Sequence, residues 1–197
     1  MASSSTKAAG TKSILTPTIT LKGHGNGIQS MSYFPDGRRM ISGSLDETTR
    51  QWDLKAGKEI EDARGVCEGS VRAVAVSRTG RWVATGGEGL NTKNPELKVC
   101  EVETGIVKTF KGHSDLIRCI DISANSKLLA SGSEDKTARI WNLDTSELVA
   151  GPFKSRNFVG AVRFSLDSKK LAIKSWSSRC LEVWDVQLQK LDVKVER

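Results

Sequence analysis

The sequence has few of the features that mark membrane or secreted proteins. None of its 197 residues belongs to an apolar run near the ~18 residues that a membrane-spanning helix requires. The first residues, MASSSTKAAGTKS, lack the apolar core of a secretory signal. We therefore expect no membrane partner, and we interpret residues 1–16 as a flexible N-terminal tail.

Residues that ligate metals are also scarce, since the chain has 2 histidines and 4 cysteines. No CxxC pair occurs, because the cysteines are spread along the chain as Cys67, Cys100, Cys119 and Cys180. This pattern predicts neither a zinc cluster nor a cofactor site. Scattered cysteines are typical of a reduced protein, so we expect an intracellular location, in the cytoplasm with the nucleus as the alternative.

What the sequence does contain is an internal repeat. Leu21-Lys22-Gly23-His24 recurs as Phe110-Lys111-Gly112-His113. Four further landmarks follow each histidine at equal distances, as the pairs Ile28/Ile117, Ser42/Ser131, Asp46/Asp135 and Trp52/Trp141. The offset between the copies corresponds to two units of roughly 44 residues, a period typical of repeat architectures.

Two weaker copies complete the series. Residues 71–77 match residues 117–123, and another copy begins at Val159. Each copy alternates apolar and polar residues over short segments with turn residues between them, which predicts four short strands per copy and an all-β protein. The candidate outer strands are Pro17–Leu21, Lys58–Asp62, Ile106–Phe110, Glu147–Phe153 and Gln189–Val195.

The pattern LKGH, ISGS, Asp and Trp-Asp over residues 21–53, copied over 110–142, resembles WD40 repeats. The resemblance implies β-propeller blades, each a four-stranded antiparallel sheet. It divides residues 17–197 into repeats at about 17–57, 58–104, 105–146 and 147–188, with a final outer strand at 189–195.

Four repeats are few for a family whose propellers usually have seven blades. We expect an incomplete or open propeller, such as a fragment of a longer WD40 protein with no independent function. Self-association of two chains into one ring and a four-bladed monomer are the alternatives.

In WD40 repeats a histidine, a serine, an aspartate and a tryptophan form a structural hydrogen-bonded network. The resemblance places two such networks here, His24, Ser42, Asp46, Trp52 and His113, Ser131, Asp135, Trp141. The same Ser, His and Asp would suit a hydrolase. Because the set occurs twice in register and each copy ends on a tryptophan, we favour the structural interpretation and expect no catalytic residue.

The other two repeats lack this set. The second has Cys67 in the histidine position, Thr85 in the serine position and Cys100 in the tryptophan position. The fourth has Ser155 or Arg156 for the histidine and Ile173 for the serine, although it keeps Trp184-Asp185.

The resemblance implies a non-enzymatic scaffold that binds protein or peptide partners through loops. The candidate interaction residues are Asn26, Ser70, Asp115, Asn157, Trp176 and Arg179. For Trp176, an interaction role and local packing both remain open.

The net charge of +7 suggests a second function. The fourth repeat is basic and could bind a nucleic acid or a phospho-ligand through Lys154, Arg156, Arg163, Lys169, Lys170, Lys174 and Arg179. However, the chain has no block of five or six consecutive basic residues, so charge alone does not favour nucleic acid as the partner.

Overall fold

The computed structural model describes residues 18–60, 69–89, 94–177 and 180–195. Within these ranges the chain forms β-strands and no helix, so no helix there is long and apolar enough to cross a membrane. The strands form four antiparallel sheets of four strands each, here called blades 1 to 4. The predicted all-β fold class is confirmed.

The strands of each blade are consecutive in the sequence. Blade 1 contains β1 (Ile28–Tyr33), β2 (Arg39–Ser44), β3 (Thr49–Asp53) and β4 (Lys58–Ile60). Blade 2 contains β5 (Val71–Val76), β6 (Trp82–Glu88), β7 (Pro95–Glu101) and β8 (Val107–Thr109). Blade 3 contains β9 (Ile117–Ile122), β10 (Leu128–Ser133), β11 (Thr137–Asn142) and β12 (Leu148–Lys154). Blade 4 contains β13 (Val159–Phe164), β14 (Lys170–Ser175), β15 (Leu181–Asp185) and β16 (Lys190–Val195).

Tight turns connect several of these strands, and the turn between β1 and β2 shows how the sequence forms them. The Asp36 carboxylate accepts the backbone N–H groups of Arg38 and Arg39 at 2.8 and 2.9 Å. Gly37 takes the left-handed conformation, with φ of 65°. Aspartate and glycine thus stabilise a reversal that a longer side chain at position 37 would strain.

The first strands of the four blades pack side by side in chain order, β1 on β5, β5 on β9 and β9 on β13. Polar side chains of one strand bind the backbone of the next. The hydroxyls of Ser30 and Ser32 each accept an N–H, from Val74 and Val76, at 3.1 Å. Asp121 accepts the N–H of Phe164 at 2.8 Å. These four strands line one central cavity of about 420 Å³.

Three apolar cores lie between successive blades. The core between blades 1 and 2 is formed by Phe34, Ile41, Val71, Val74 and Val83. The core between blades 2 and 3 contains Trp82, Ala84, Leu97, Val99, Phe110, Ile117, Leu129, Trp141 and Leu143. The core between blades 3 and 4 contains Ala130, Ala138, Ile140, Ala150, Phe153, Val159, Val162, Leu171, Ile173 and Val186. Each interface buries side chains that a single blade would leave in water.

Within the described residues the arc of blades does not close into a ring, so two blade faces have no neighbouring blade there. Blade 1 exposes Ile28, Met31 and Tyr33 on its first strand. Blade 4 exposes Leu181, Val193 and Val195 on its last two strands. The expected outer strand at Pro17–Leu21 is wrong for its described part, because residues 18–21 form no strand. Each described blade already has its own outer strand, β4, β8, β12 or β16, so no described blade lacks the strand that this segment was expected to supply.

Candidate interaction surface

Two loops of each blade meet at the same end of that blade. In every blade the loop before the first strand accepts a backbone hydrogen bond from the end of the second strand or the residue after it. The four bonds are Leu45 N–H to Gly27 O, Glu88 N–H to Ser70 O, Glu134 N–H to Leu116 O and Trp176 N–H to Phe158 O. Because the first strands of the blades run in the same direction, these loops share one side of the molecule. We call this side the upper face.

In blade 1 a polar network ties the upper loops to the sheet. His24 Nδ1 lies 2.8 Å from Asp46 Oδ2, and His24 Nε2 lies 2.7 Å from Ser42 Oγ. The Trp52 indole donates to the same Ser42 Oγ at 2.8 Å. An ionised carboxylate can only accept, so the Nδ1 that faces Asp46 carries a proton, and in the neutral ring Nε2 then accepts the proton of the serine hydroxyl.

Blade 3 has the same network with nearly the same distances. His113 Nδ1 lies 2.7 Å from Asp135 Oδ2, and His113 Nε2 lies 2.8 Å from Ser131 Oγ. The Trp141 indole donates to Ser131 Oγ at 2.8 Å. Both serines are buried and their hydroxyls are engaged twice, so neither is open to a substrate.

Opposing effects act on the two aspartates of these networks. Burial raises the pKa of Asp46 and of Asp135, because it penalises the charged form. Burial is the largest single effect, but the hydrogen bonds from His24, Thr48 and the Gly25 N–H to Asp46, and from His113, Thr137 and the Ser114 N–H to Asp135, together lower the pKa by more. The net pKa of both carboxyls lies well below the usual aspartate value, so both are ionised acceptors at neutral pH.

Blades 2 and 4 hold different groups at these positions. Thr85 Oγ1 is buried and has no hydrogen-bond partner within the described ranges. Cys100 pairs with Val83 where Trp52 pairs with Met40, and burial raises the pKa of its thiol. Cys67 lies outside the described residues. In blade 4, Ser155 is hydrogen-bonded to Ser175, while Ile173 is buried in the core.

The predicted interaction residues Asn26, Asp115 and Asn157 lie in the upper loops and make local contacts. Each side-chain Oδ1 accepts the N–H of the following residue, at 2.7, 2.8 and 2.8 Å respectively. Ser70 is half-buried beside β6. Arg179 lies outside the described residues. A binding role for these five residues stays a prediction.

Trp176 is the most distinctive side chain of the upper face. Its side chain is 61% exposed, and it lies between blades 4 and 3. The Arg118 guanidinium carbon lies 4.9 Å from the centre of its ring, within the range of a cation–π contact. Arg118 Nε also donates to Glu134 at 2.6 Å. The indole is thus supported on one face and open to solvent elsewhere.

The sequence interpretation did not include Arg118. Arg118 and Trp176 belong to different repeats, and no local pattern links them. The repeat gives a weak indication of the role of Arg118, since Arg72 occupies the equivalent strand position in blade 2 and pairs with Glu88 at 3.1 Å. Two arginine–glutamate pairs therefore lie at the upper ends of β5 and β9, and the second of them is next to Trp176.

Comparison with known proteins agrees with this architecture. The family model described as "WD domain, G-beta repeat" matches residues 15–53, 63–90 and 105–142. Periodic tryptophan protein 2 of Arabidopsis thaliana is 27% identical over 168 residues, which is 85% of this chain and 18% of that protein. A guanine nucleotide-binding protein subunit beta of Arabidopsis thaliana is 31% identical over 126 residues, 62% of this chain and 33% of that protein.

A third relative is nuclear distribution protein PAC1 of Coccidioides posadasii, 26% identical over 197 residues, with 85% of this chain and 40% of that protein covered. The chain thus spans well under half the length of each of these relatives. The matched family segments make up more than half of the chain and contain both His–Ser–Asp–Trp networks. This chain therefore belongs to the WD40 family, and its four sheets are WD40 blades.

Proposed function

We propose that this chain is a non-enzymatic scaffold that binds protein or peptide partners through its upper face, with Trp176 and Arg118 as the central contact. The observation that carries the proposal is the exposed indole of Trp176, supported by the Arg118 guanidinium. Tryptophan and arginine are enriched among the residues that supply most of the binding energy at protein interfaces. A supported ring also loses less side-chain entropy on binding than a free one.

The geometry of the His–Ser–Asp sets supports a non-enzymatic role. A nucleophilic serine must present its hydroxyl to the substrate. Ser42 and Ser131 instead lie in the blade interior, each bound by a histidine and a tryptophan. These contacts stabilise the upper loops and leave no free nucleophile in either set.

Two of the seven basic residues that suggested a nucleic-acid function are paired with acids, which weakens the case for that function. Lys170 pairs with Asp185 and Asp192, and Arg163 pairs with Asp121. These acids offset the charge that a phosphate backbone would need. As part of the same proposal, we place the protein inside the cell, in the cytoplasm with the nucleus as the alternative. The free thiols of Cys100, Cys119 and Cys180 support this location.

The test is a selection of binding peptides from a displayed random-peptide library, followed by affinity measurements on point variants. We expect Trp176→Ala to weaken the selected peptides by about tenfold or more, the loss of one interface hot spot. Arg118→Ala should weaken them less, because the indole remains. The matched control is Leu166→Ala, since Leu166 is 79% exposed and lies in the turn between β13 and β14 at the opposite end of the blade.

Leu166→Ala should leave peptide affinity unchanged. The proposal is wrong if Trp176→Ala binds the peptides as tightly as the unmodified chain, or if the two substitutions weaken binding equally. Thermal unfolding of each variant checks that the blades stay folded.

A further inference from the structure

Blades 1 to 3 share a glycine at one register position of the second strand. These glycines pair across the sheet with the first strand, as Gly43 with Ser30, Gly86 with Ala73 and Gly132 with Cys119. In blade 4 the same position, opposite Ala161, is Lys174. This change falls on the uncovered side of blade 4, which we call the far face, near the upper end of β14.

The three glycines are needed because the next blade comes very close. A Cβ atom on Gly43 would lie 2.4 Å from Val71 Cγ1, and one on Gly132 would lie 2.4 Å from Val159 Cγ1. A Cβ atom on Gly86 would lie 2.6 Å from Ile117 Cγ2. These distances are far below van der Waals contact, so the first residue of the next inner strand fills the space that a side chain would take.

The far face of blade 4 is apolar around Lys174. Lys174 is exposed and faces Leu181 across the β14–β15 pair, while the next pair along the same face joins Ala172 to Val183. Val193 and Val195 extend the apolar area on β16. The neighbouring cation Lys170 binds Asp185 and Asp192, whereas Lys174 has no ion pair among the described residues.

A further blade with an apolar first residue would bury this ammonium group without a counter-charge. An ammonium group buried without a counter-charge opposes such packing. The second copy of this chain offers such a blade, because Ile28 of blade 1 occupies the repeat position of Val71, Ile117 and Val159. An opposing carboxylate would remove the penalty.

We propose that the far face of blade 4 binds a protein partner that brings a carboxylate to Lys174, and that Lys174 excludes an apolar inner strand such as β1 of a second copy. This surface is separate from the upper face around Trp176. The partner combines an apolar sheet face, which covers Leu181, Val183 and Val193, with one aspartate or glutamate at the position facing Lys174.

The chain itself is the probe, and its mass in solution is the measurement. The unmodified chain should sediment as a single species near 21.4 kDa at all concentrations. Lys174→Gly recreates the glycine of blades 1 to 3, so we expect its weight-average mass to rise with concentration toward that of a dimer or larger. The control Lys154→Gly, at an exposed strand position of blade 3, should remain monomeric. A monomeric Lys174→Gly chain would overturn the exclusion.

A second arm tests the acidic partner directly. Ile28→Glu supplies a carboxylate at the position that would face Lys174 of another copy, and we expect this variant to associate at low salt and dissociate at high salt. Adding Lys174→Gln to Ile28→Glu should abolish the association. A monomeric Ile28→Glu chain, or association that survives Lys174→Gln, would overturn the acidic partner. Both positions are exposed, so circular dichroism should show unchanged folding.

Discussion

Blades 1 and 3 contain the same polar network but have different surroundings. The tryptophans Trp52 and Trp141 are both 2% exposed, and the network distances agree within 0.1 Å. On the first strands, however, Ile28 is 48% exposed whereas its counterpart Ile117 is fully buried against blade 2. The network therefore forms within one blade, without help from a preceding blade. Burial of the first strand depends on that neighbour.

The largest expected difference concerns these two isoleucines. Ile117→Ala should destabilise the chain by about 2–5 kcal/mol, because it leaves a cavity between blades 2 and 3. Ile28→Ala should change the free energy of unfolding by about 0.5 kcal/mol or less, as at other exposed positions. Urea unfolding of both variants measures the difference. Equal losses would show that another surface covers β1 in solution.

A smaller effect is expected in the networks. Ser131→Ala and Ser42→Ala should each cost about 1–3 kcal/mol, because a buried indole and a buried imidazole lose their shared partner. Equal costs would confirm that each network is independent of the neighbouring blade. If Ser42→Ala costs much less than Ser131→Ala, that independence is wrong.

Blade 2 supplies the contrast for this measurement. Thr85 occupies the serine position, but its hydroxyl is buried without a partner in the described chain. Thr85→Val keeps the shape and removes the unsatisfied group, so it should be neutral or stabilising. A loss in urea unfolding similar to that of Ser131→Ala would reveal a hidden partner for Thr85.

The smallest expected effect is the response to acid. The folded pKa values of Asp46 and Asp135 lie below the unfolded value of about 3.9. Their stabilising contribution is therefore present above that pH and is lost as the pH falls through the folded pKa values. The urea midpoint should drop between pH 6 and about pH 3.

Asp135→Asn and Asp46→Asn should each make this drop smaller, and by similar amounts. Asp121 is the control, because burial raises its pKa. Its protonated form is therefore the one that favours the folded state, and this contribution to stability is lost as the pH rises. Asp121→Asn should therefore not reduce the acid-induced drop. A reduction as large as that in Asp135→Asn would contradict the assignment of the acid response to the networks.

The blade architecture could be predicted from the sequence because it depends on residues within one repeat. The four network positions recur at fixed spacing, and alternating apolar residues mark each strand, so short-range patterns suffice. The outer strand expected before β1 is absent over residues 18–21. Ile19 and its neighbours have a suitable strand composition, but each described blade already has four strands of its own, and no local pattern shows that.

The contacts between blades could not be predicted in the same way. Arg118 meets Trp176 only because β9 and β13 pack side by side with a particular stagger. The importance of Lys174 appears only when its register is compared with that of the three close-approach glycines. Both depend on distances between repeats, whereas the repeat pattern describes each unit alone.

Hydrogen bonds between the inner strands give two of the three blade interfaces a direction along the chain. At the interfaces between blades 1 and 2 and between blades 3 and 4, the earlier blade supplies the side-chain acceptor and the later blade supplies the backbone N–H. Arg163 stands in blade 4 at the position of Ser32 and Asp121, and a guanidinium cannot accept. The blades share one topology but are not interchangeable parts. A rearranged chain with blade 4 ahead of another blade would leave an inner-strand N–H without its acceptor.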